Sequence, residues 1–149
     1  MGGMSGNVET VEWVEWNYEI LLRHHLICTG TTGRMVEQVL TDKLKLEGSH
    51  QQLGAIHKLK SGPLGGDQQL GAMITEGRVD VLIFFWDPME PHPHDVDVKA
   101  LLRIAVLYNI PIACNRSTAD FMISSPLMEQ AYTPVLKDYK GYLKRDISL

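Results

Sequence analysis

Asp67 stands in a glycine-rich turn, Ser61-Gly62-Pro63-Leu64-Gly65-Gly66-Asp67-Gln68-Gln69, that opens straight into an apolar helical pattern. Glycine lets a backbone approach a ligand closely and adopt left-handed conformations. The start of a helix offers free N–H groups to an anion. One short segment thus supplies a candidate base and a candidate phosphate cradle. Taken alone, a Gly-Gly-Asp turn is also accounted for by plain turn chemistry. A second polar turn, Thr29-Gly30-Thr31-Thr32-Gly33, follows the apolar run Leu26-Ile27-Cys28. Hydroxyls beside glycine N–H groups suit a phosphate. It is not a P-loop, because no Gly-Lys-Ser/Thr follows. Its other reading is a helix N-cap with a tight turn.

The third polar segment runs from Phe84-Phe85-Trp86-Asp87-Pro88 to Pro93-His94-Asp95-Val96-Asp97-Val98-Lys99. A neutral imidazole at His94 can donate to a carbonyl oxygen and later shuttle a proton. A histidine in a proline-rich loop also reads as an ordinary turn residue. His92 and His94 form an H-x-H pair. Pro93 constrains it and no third His or Cys falls at a fitting position, so no metal is expected. Asp87 precedes a proline and Asp97 opens a helix, so each has a purely structural reading beside a chemical one. Arg103 lies further along that helix, as a solvated or a subunit-contact residue.

Proton abstraction next to a ketone is the chemistry these types suggest. An aspartate, with an ordinary pKa of about 3.9, is a weak base. It works only where donors already in place stabilise the enediolate that forms.

The elements that must hold these residues alternate between helix and strand. Periodicity predicts a helix over Val8 to His24, with Val11, Val14, Ile20 and Leu21 roughly on one face. Leu26 to Cys28 reads as a buried strand and Gly33 to Leu40 as a helix. Gly66 to Glu76 reads as a helix ended near Gly77. Val79 to Trp86 is continuous, β-branched and aromatic, as a strand covered on both faces should be. Asp95 to Tyr108 is a long helix with acidic residues at its start. Ile110 to Cys114 is a strand, and Ser117 to Ser124 a helix capped by Ser117 or Thr118. Tyr139, Tyr142 and Leu143 stand at helical spacing in the tail. Strands alternating with helices argue for a parallel α/β sheet. In such sheets ligands bind at the carboxyl ends of the strands, where all three polar segments fall. The stretch 41–60 is mixed and partly solvated, and is expected to be a surface insertion.

The 149 residues fit one domain with a real core, and 44% apolar with 21% charged content is that of an ordinary globular protein. A net charge of −4 without basic runs gives no reason to expect nucleic acid or an anionic membrane as partner. The longest apolar run, Val81 to Trp86, is far too short to cross a bilayer. No signal pattern opens the chain. Cys28 and Cys114 show no CxxC spacing, which points to a reduced, cytoplasmic setting and to small core residues.

The GTTG, GGDQQ and FFWDP…PHD…DVK elements together resemble the methylglyoxal synthase family, from about Val11 to the C-terminus. That resemblance implies a single Rossmann-like domain, a parallel sheet with helices on both faces. It implies a carbon–oxygen lyase that converts dihydroxyacetone phosphate to methylglyoxal and inorganic phosphate, with no metal or organic cofactor. Residue by residue, it makes Asp67 the base and His94 the electrophile. Asp87 and Asp97 lie in or beside the site, orienting His94 and tuning Asp67. Thr29, Gly30, Thr31, Thr32, Ser61 and Gly62, with His94, hold the substrate and its phosphate. Inorganic phosphate is the expected inhibitor, and a homohexamer the expected assembly.

The family pattern opens on an apolar strand, central in the sheet, that ends in a His-Asp turn followed by a phosphate-holding lysine. Counting back from Thr29 without gaps places Met1 to Gly6 and Asn7 there, with no His, Asp or Lys. Relative to the family, about a dozen residues are also extra within 41–60. These departures predict a weak catalyst. The alternative to an enzyme is a non-catalytic module of the same fold that binds a phosphate ligand for regulation.

Overall fold

The computed structural model describes residues 4–89 and 95–143. Helix α1 (Met4–Trp16) and the short α2 (Tyr18–Leu21) open the chain. Strand β1 (Ile27–Cys28), helix α3 (Gly30–Leu46) and strand β2 (His57–Lys58) follow. A 3-10 turn (Gly62–Leu64) leads into α4 (Gly66–Thr75) and β3 (Leu82–Ile83). Then come α5 (Asp95–Leu107), β4 (Ile112–Ala113), α6 (Arg116–Ile123), a second 3-10 turn (Pro126–Glu129) and α7 (Lys140–Leu143).

Both strand pairs are parallel. β1 pairs with β2, Ile27 opposite His57, and β3 with β4, Leu82 opposite Ile112. Regular ladder is short, but backbone bonding runs on. Phe84 N–H donates to Ala113 C=O at 2.8 Å and Trp86 N–H to Cys114 C=O at 3.2 Å. Parallel strands need helical crossovers, and these cover both faces. On one face Trp13 and Val14 of α1, Val36 and Leu40 of α3, and Ala119 and Ile123 of α6 pack with Phe85 and Ala113. On the other, Leu70, Met73 and Ile74 of α4 and Leu101 and Ala105 of α5 pack with Leu59 and Leu82. Neighbouring strand residues divide between the two cores, as a pleat of period two requires. The result is the expected α/β, Rossmann-like fold.

Four local expectations are corrected. The helix over Val8 to His24 is broken at Asn17, whose backbone at φ −105° and ψ 16° leaves the helical region. Of its expected core face, Val14 and Leu21 are buried, joined by Trp13. The helix predicted over Gly33 to Leu40 starts three residues earlier and runs to Leu46. Consequently the stretch 41–60 is not a surface segment throughout. Leu44, Ile56 and Leu59 are buried, and His57–Lys58 forms β2. Burial of these residues outweighs the polar composition between them. The cap of α6 is Asn115, whose side chain accepts from the Thr118 amide at 2.9 Å, rather than Ser117 or Thr118.

Candidate active site

Two turns define the site, and each follows a strand. α3 begins directly after β1. Thr29, the residue before it, is extended at φ −64° and ψ 154°, and Gly33 N–H closes on its carbonyl at 2.7 Å. Ser61 precedes the 3-10 turn after β2 with nearly the same geometry, φ −62° and ψ 153°. Its carbonyl accepts from the amides of Leu64 at 3.0 Å and Gly66 at 2.9 Å.

The Thr29 and Ser61 hydroxyls do not cap the helices they precede. Asn115 and Ser125 do cap theirs through the side chain. Thr29 thus holds the N-cap position of α3 with the tight turn that the N-cap reading expected, but without a side-chain cap bond. Thr29 and Ser61 each follow a strand of the β1–β2 pair, at its carboxyl end.

The turns are brought together by backbone. Gly30 N–H donates to the Lys60 carbonyl at 3.1 Å. A Cβ on Gly30 would sit 3.1 Å from the Leu59 carbonyl oxygen and 3.2 Å from the Ser61 nitrogen, so only glycine allows this approach without displacement. Gly66 is more constrained still. A Cβ there would strike the Lys60 carbonyl, 2.9 Å from its carbon and 3.0 Å from that of Ser61. Gly65 before it takes φ +101°. The glycine pair therefore turns the chain sharply and seats the start of α4 against Lys60–Ser61.

Asp67 is the second residue of α4 and is 7% exposed, the one buried charged side chain among the described residues. A carboxylate in the first turn of a helix is favoured by the helix dipole. Gly66, the residue before Asp67, packs against Lys60–Ser61, which sets Asp67 at the turn after β2.

Gln69 was not singled out by its type or spacing. Its Oε1 accepts from the Lys60 amide at 2.8 Å, tying the first turn of α4 back to the end of β2. The signal available in the sequence was a glutamine two positions after the aspartate, on a helix start.

Asp87 follows β3, partly buried, with Oδ1 accepting from the Met89 amide at 2.9 Å. That is turn chemistry before Pro88, and it coexists with a place at a strand's carboxyl end. Asp97 is partly buried in the first turn of α5, where Asp95 pairs with Lys99 at 2.9 Å. Arg103 is exposed on the same helix. His92 and His94 lie outside the described residues.

Among the described residues no group of three or more His, Cys, Asp or Glu side chains is placed to hold a metal. Cys28 is partly buried at the end of β1, and burial pushes its thiol up to about 11. The Cys114 thiol is raised by the same cause. An open cleft of about 480 Å³ lies between α1, α2 and α6, lined by Trp16, Asn17, Ile20, Arg116 and Asp120 among others. It contains none of the candidate residues.

Fold and site together define an α/β domain in which two glycine- and hydroxyl-bearing turns follow parallel strands and a buried carboxylate opens the next helix. The profile of the MGS-like domain family matches residues 9–114. A methylglyoxal synthase of Maridesulfovibrio salexigens is 54% identical over 140 residues, covering 93% of this chain and 89% of the relative. One of Oleidesulfovibrio alaskensis is 55% identical over 137 residues, covering 92% and 86%. The crystal structure of methylglyoxal synthase from Elizabethkingia anophelis superposes with a TM-score of 0.82 at 46% identity, covering 97% of this chain and 87% of that one. The chain belongs to the methylglyoxal synthase family.

Proposed function

We propose that this chain is a methylglyoxal synthase, a carbon–oxygen lyase acting on dihydroxyacetone phosphate. The observation that carries the reading is the Gly30–Lys60 backbone bond, which closes two hydroxyl- and glycine-bearing turns beside buried Asp67. In this reading Thr29, Gly30, Thr31, Thr32, Ser61 and Gly62 hold the phosphate. Asp67 takes a proton from the hydroxymethyl carbon next to the ketone. The electron pair moves into the carbonyl to give an enediolate, and His94 stabilises the oxygen. A proton then passes from the hydroxyl on the former hydroxymethyl carbon to the former ketone oxygen, and the pair on the deprotonated oxygen drives out phosphate, the C–O bond breaking with its pair on the leaving oxygen. The enol left behind takes a proton on carbon and becomes methylglyoxal. Asp87 and Asp97 orient His94 and tune the base.

The cleavage is an elimination with no net oxidation or reduction. Inorganic phosphate, as product and as cradle ligand, inhibits. The assembly is a homohexamer. Exposure of Trp16 at 82% and Phe121 at 81% supports burial of such side chains between subunits.

The test is turnover of dihydroxyacetone phosphate by the purified chain, with methylglyoxal and phosphate measured together. Equimolar release supports the reading. Phosphate binding without turnover would select the regulatory module instead.

A further inference from the structure

We infer that Gln69 is a positioning residue, fixing the helix that carries Asp67 against the two turns, an inference that rests on the lyase reading of this site. Leu59 N–H still donates to Cys28 C=O at 2.8 Å, but at Lys60 the backbone leaves the strand. Both main-chain polar groups of Lys60 then go to helices. Its N–H donates to Gln69 Oε1 at 2.8 Å, and its C=O accepts from Gly30 N–H at 3.1 Å. One residue is thereby gripped from α4 through its amide and from the start of α3 through its carbonyl.

The first turn of α4 is arranged for that grip. Gly66 and Gln69 stand three residues apart, and so on one flank of the helix. Gly66 has no side chain to hold the Lys60–Ser61 backbone away, and its N–H donates to Ser61 C=O at 2.9 Å. Gln69 adds its carboxamide, while its own N–H donates to Gly65 C=O at 3.0 Å and closes the turn. Asp67 lies about 100° round the helix from Gly66 and is buried. The same turn thus carries the buried base and, on another flank, the bond that fixes it to Lys60.

Gln69 and Lys60 are both exposed. Water can take over the Lys60 N–H when the carboxamide is gone, so the bond adds little to folding. What it controls is geometry. A general base must stand within hydrogen-bond reach of the proton it removes, and a small displacement of a prepositioned group costs rate before it costs binding. Substrate held by its phosphate at the turns of Thr29 and Ser61 meets Asp67 at a distance set through Lys60.

The experiment measures kcat and KM for dihydroxyacetone phosphate, solvent deuterium exchange into it, and thermal melting, in Gln69→Met, Gln69→Asn and Gln69→Glu. Methionine keeps the length without the acceptor, asparagine keeps the acceptor one methylene short, and glutamate keeps both. kcat and exchange should fall together, about tenfold, in Gln69→Met and Gln69→Asn, with KM and melting close to those of the parent. Gln69→Glu should recover most of kcat at saturating substrate, whatever its charge does to KM. Parental kcat in Gln69→Met, a loss confined to KM, or no recovery in Gln69→Glu overturns the inference. A large drop in melting temperature shared by Gln69→Met and Gln69→Glu makes the residue structural and also overturns it. If the parent turns substrate over and Gln69→Met does so equally well, only the role of Gln69 falls. If the parent produces no methylglyoxal, the lyase reading falls and this inference with it.

Discussion

The amide of Gly30 and the carbonyl of Lys60 lie 3.1 Å apart, and that one bond joins the turn after β1 to the turn after β2. Across it stand Thr29 and Ser61, two extended residues with hydroxyls not engaged in capping, and behind it starts the helix that carries Asp67. The family's substrate is small and bears one phosphate. A cradle made largely of backbone is suited to it, because N–H groups held by the fold need no reorganisation as charge develops.

Gly66→Ala should separate this architecture from ordinary helix chemistry. The new methyl would collide with the Lys60 carbonyl, which is fixed by Gly30. Relieving it costs roughly 1–3 kcal/mol and shifts the Ser61 turn. Gly71→Ala in the same helix meets nothing within 4 Å and should stabilise by about 0.5–1 kcal/mol. Thermal melting of the two variants should move in opposite directions, and only the first should lose phosphate affinity.

Thr31→Val and Ser61→Ala should weaken inorganic phosphate by roughly 0.5–1.5 kcal/mol each. Phosphate at a hundred times its Kd should raise the stability of the parent chain by about 2.7 kcal/mol through mass action. The stabilisation should shrink in both variants at a fixed phosphate concentration. An unchanged melting curve for the parent at high phosphate would remove the cradle.

Cys28 sets a pH dependence. Its folded thiol, near 11, binds a proton more tightly than an unfolded one near 9. Above pH 9 the unfolded chain therefore holds fewer protons, so stability falls with rising pH. The contribution is fully present below about pH 9 and is lost by about pH 11, on the order of 2 kcal/mol. Urea titrations across that window should show a smaller decline in Cys28→Ala than in the parent. The same burial predicts slow reaction of Cys28 with thiol reagents at pH 7.

Much of this was legible from residue order. The strand over Val79 to Trp86 and the helix from Gly66 announced themselves by composition and by the glycine pair. The candidate site was drawn from contiguous turns, and the structure places Thr29 and Ser61 directly before the helical turns that follow β1 and β2, and Asp67 at the start of α4. What was hidden depends on contacts between distant segments. His57 and Lys58 read as part of a mixed stretch, and only pairing with β1 reveals them as strand residues. The break at Asn17 lies in the backbone angles of one residue, which periodicity does not register. Gln69 acquires its role only once β2 and α4 are brought together.

Asp67→Asn tests the account most directly, through solvent deuterium exchange into dihydroxyacetone phosphate. The change keeps shape and should leave the fold and phosphate binding nearly intact, while removing the base. General-base catalysis is worth roughly 10²–10⁴-fold, so carbon exchange and methylglyoxal release should both fall by that factor in the variant. Exchange in Asp67→Asn at the rate of the parent chain would contradict the assignment of Asp67 as the base.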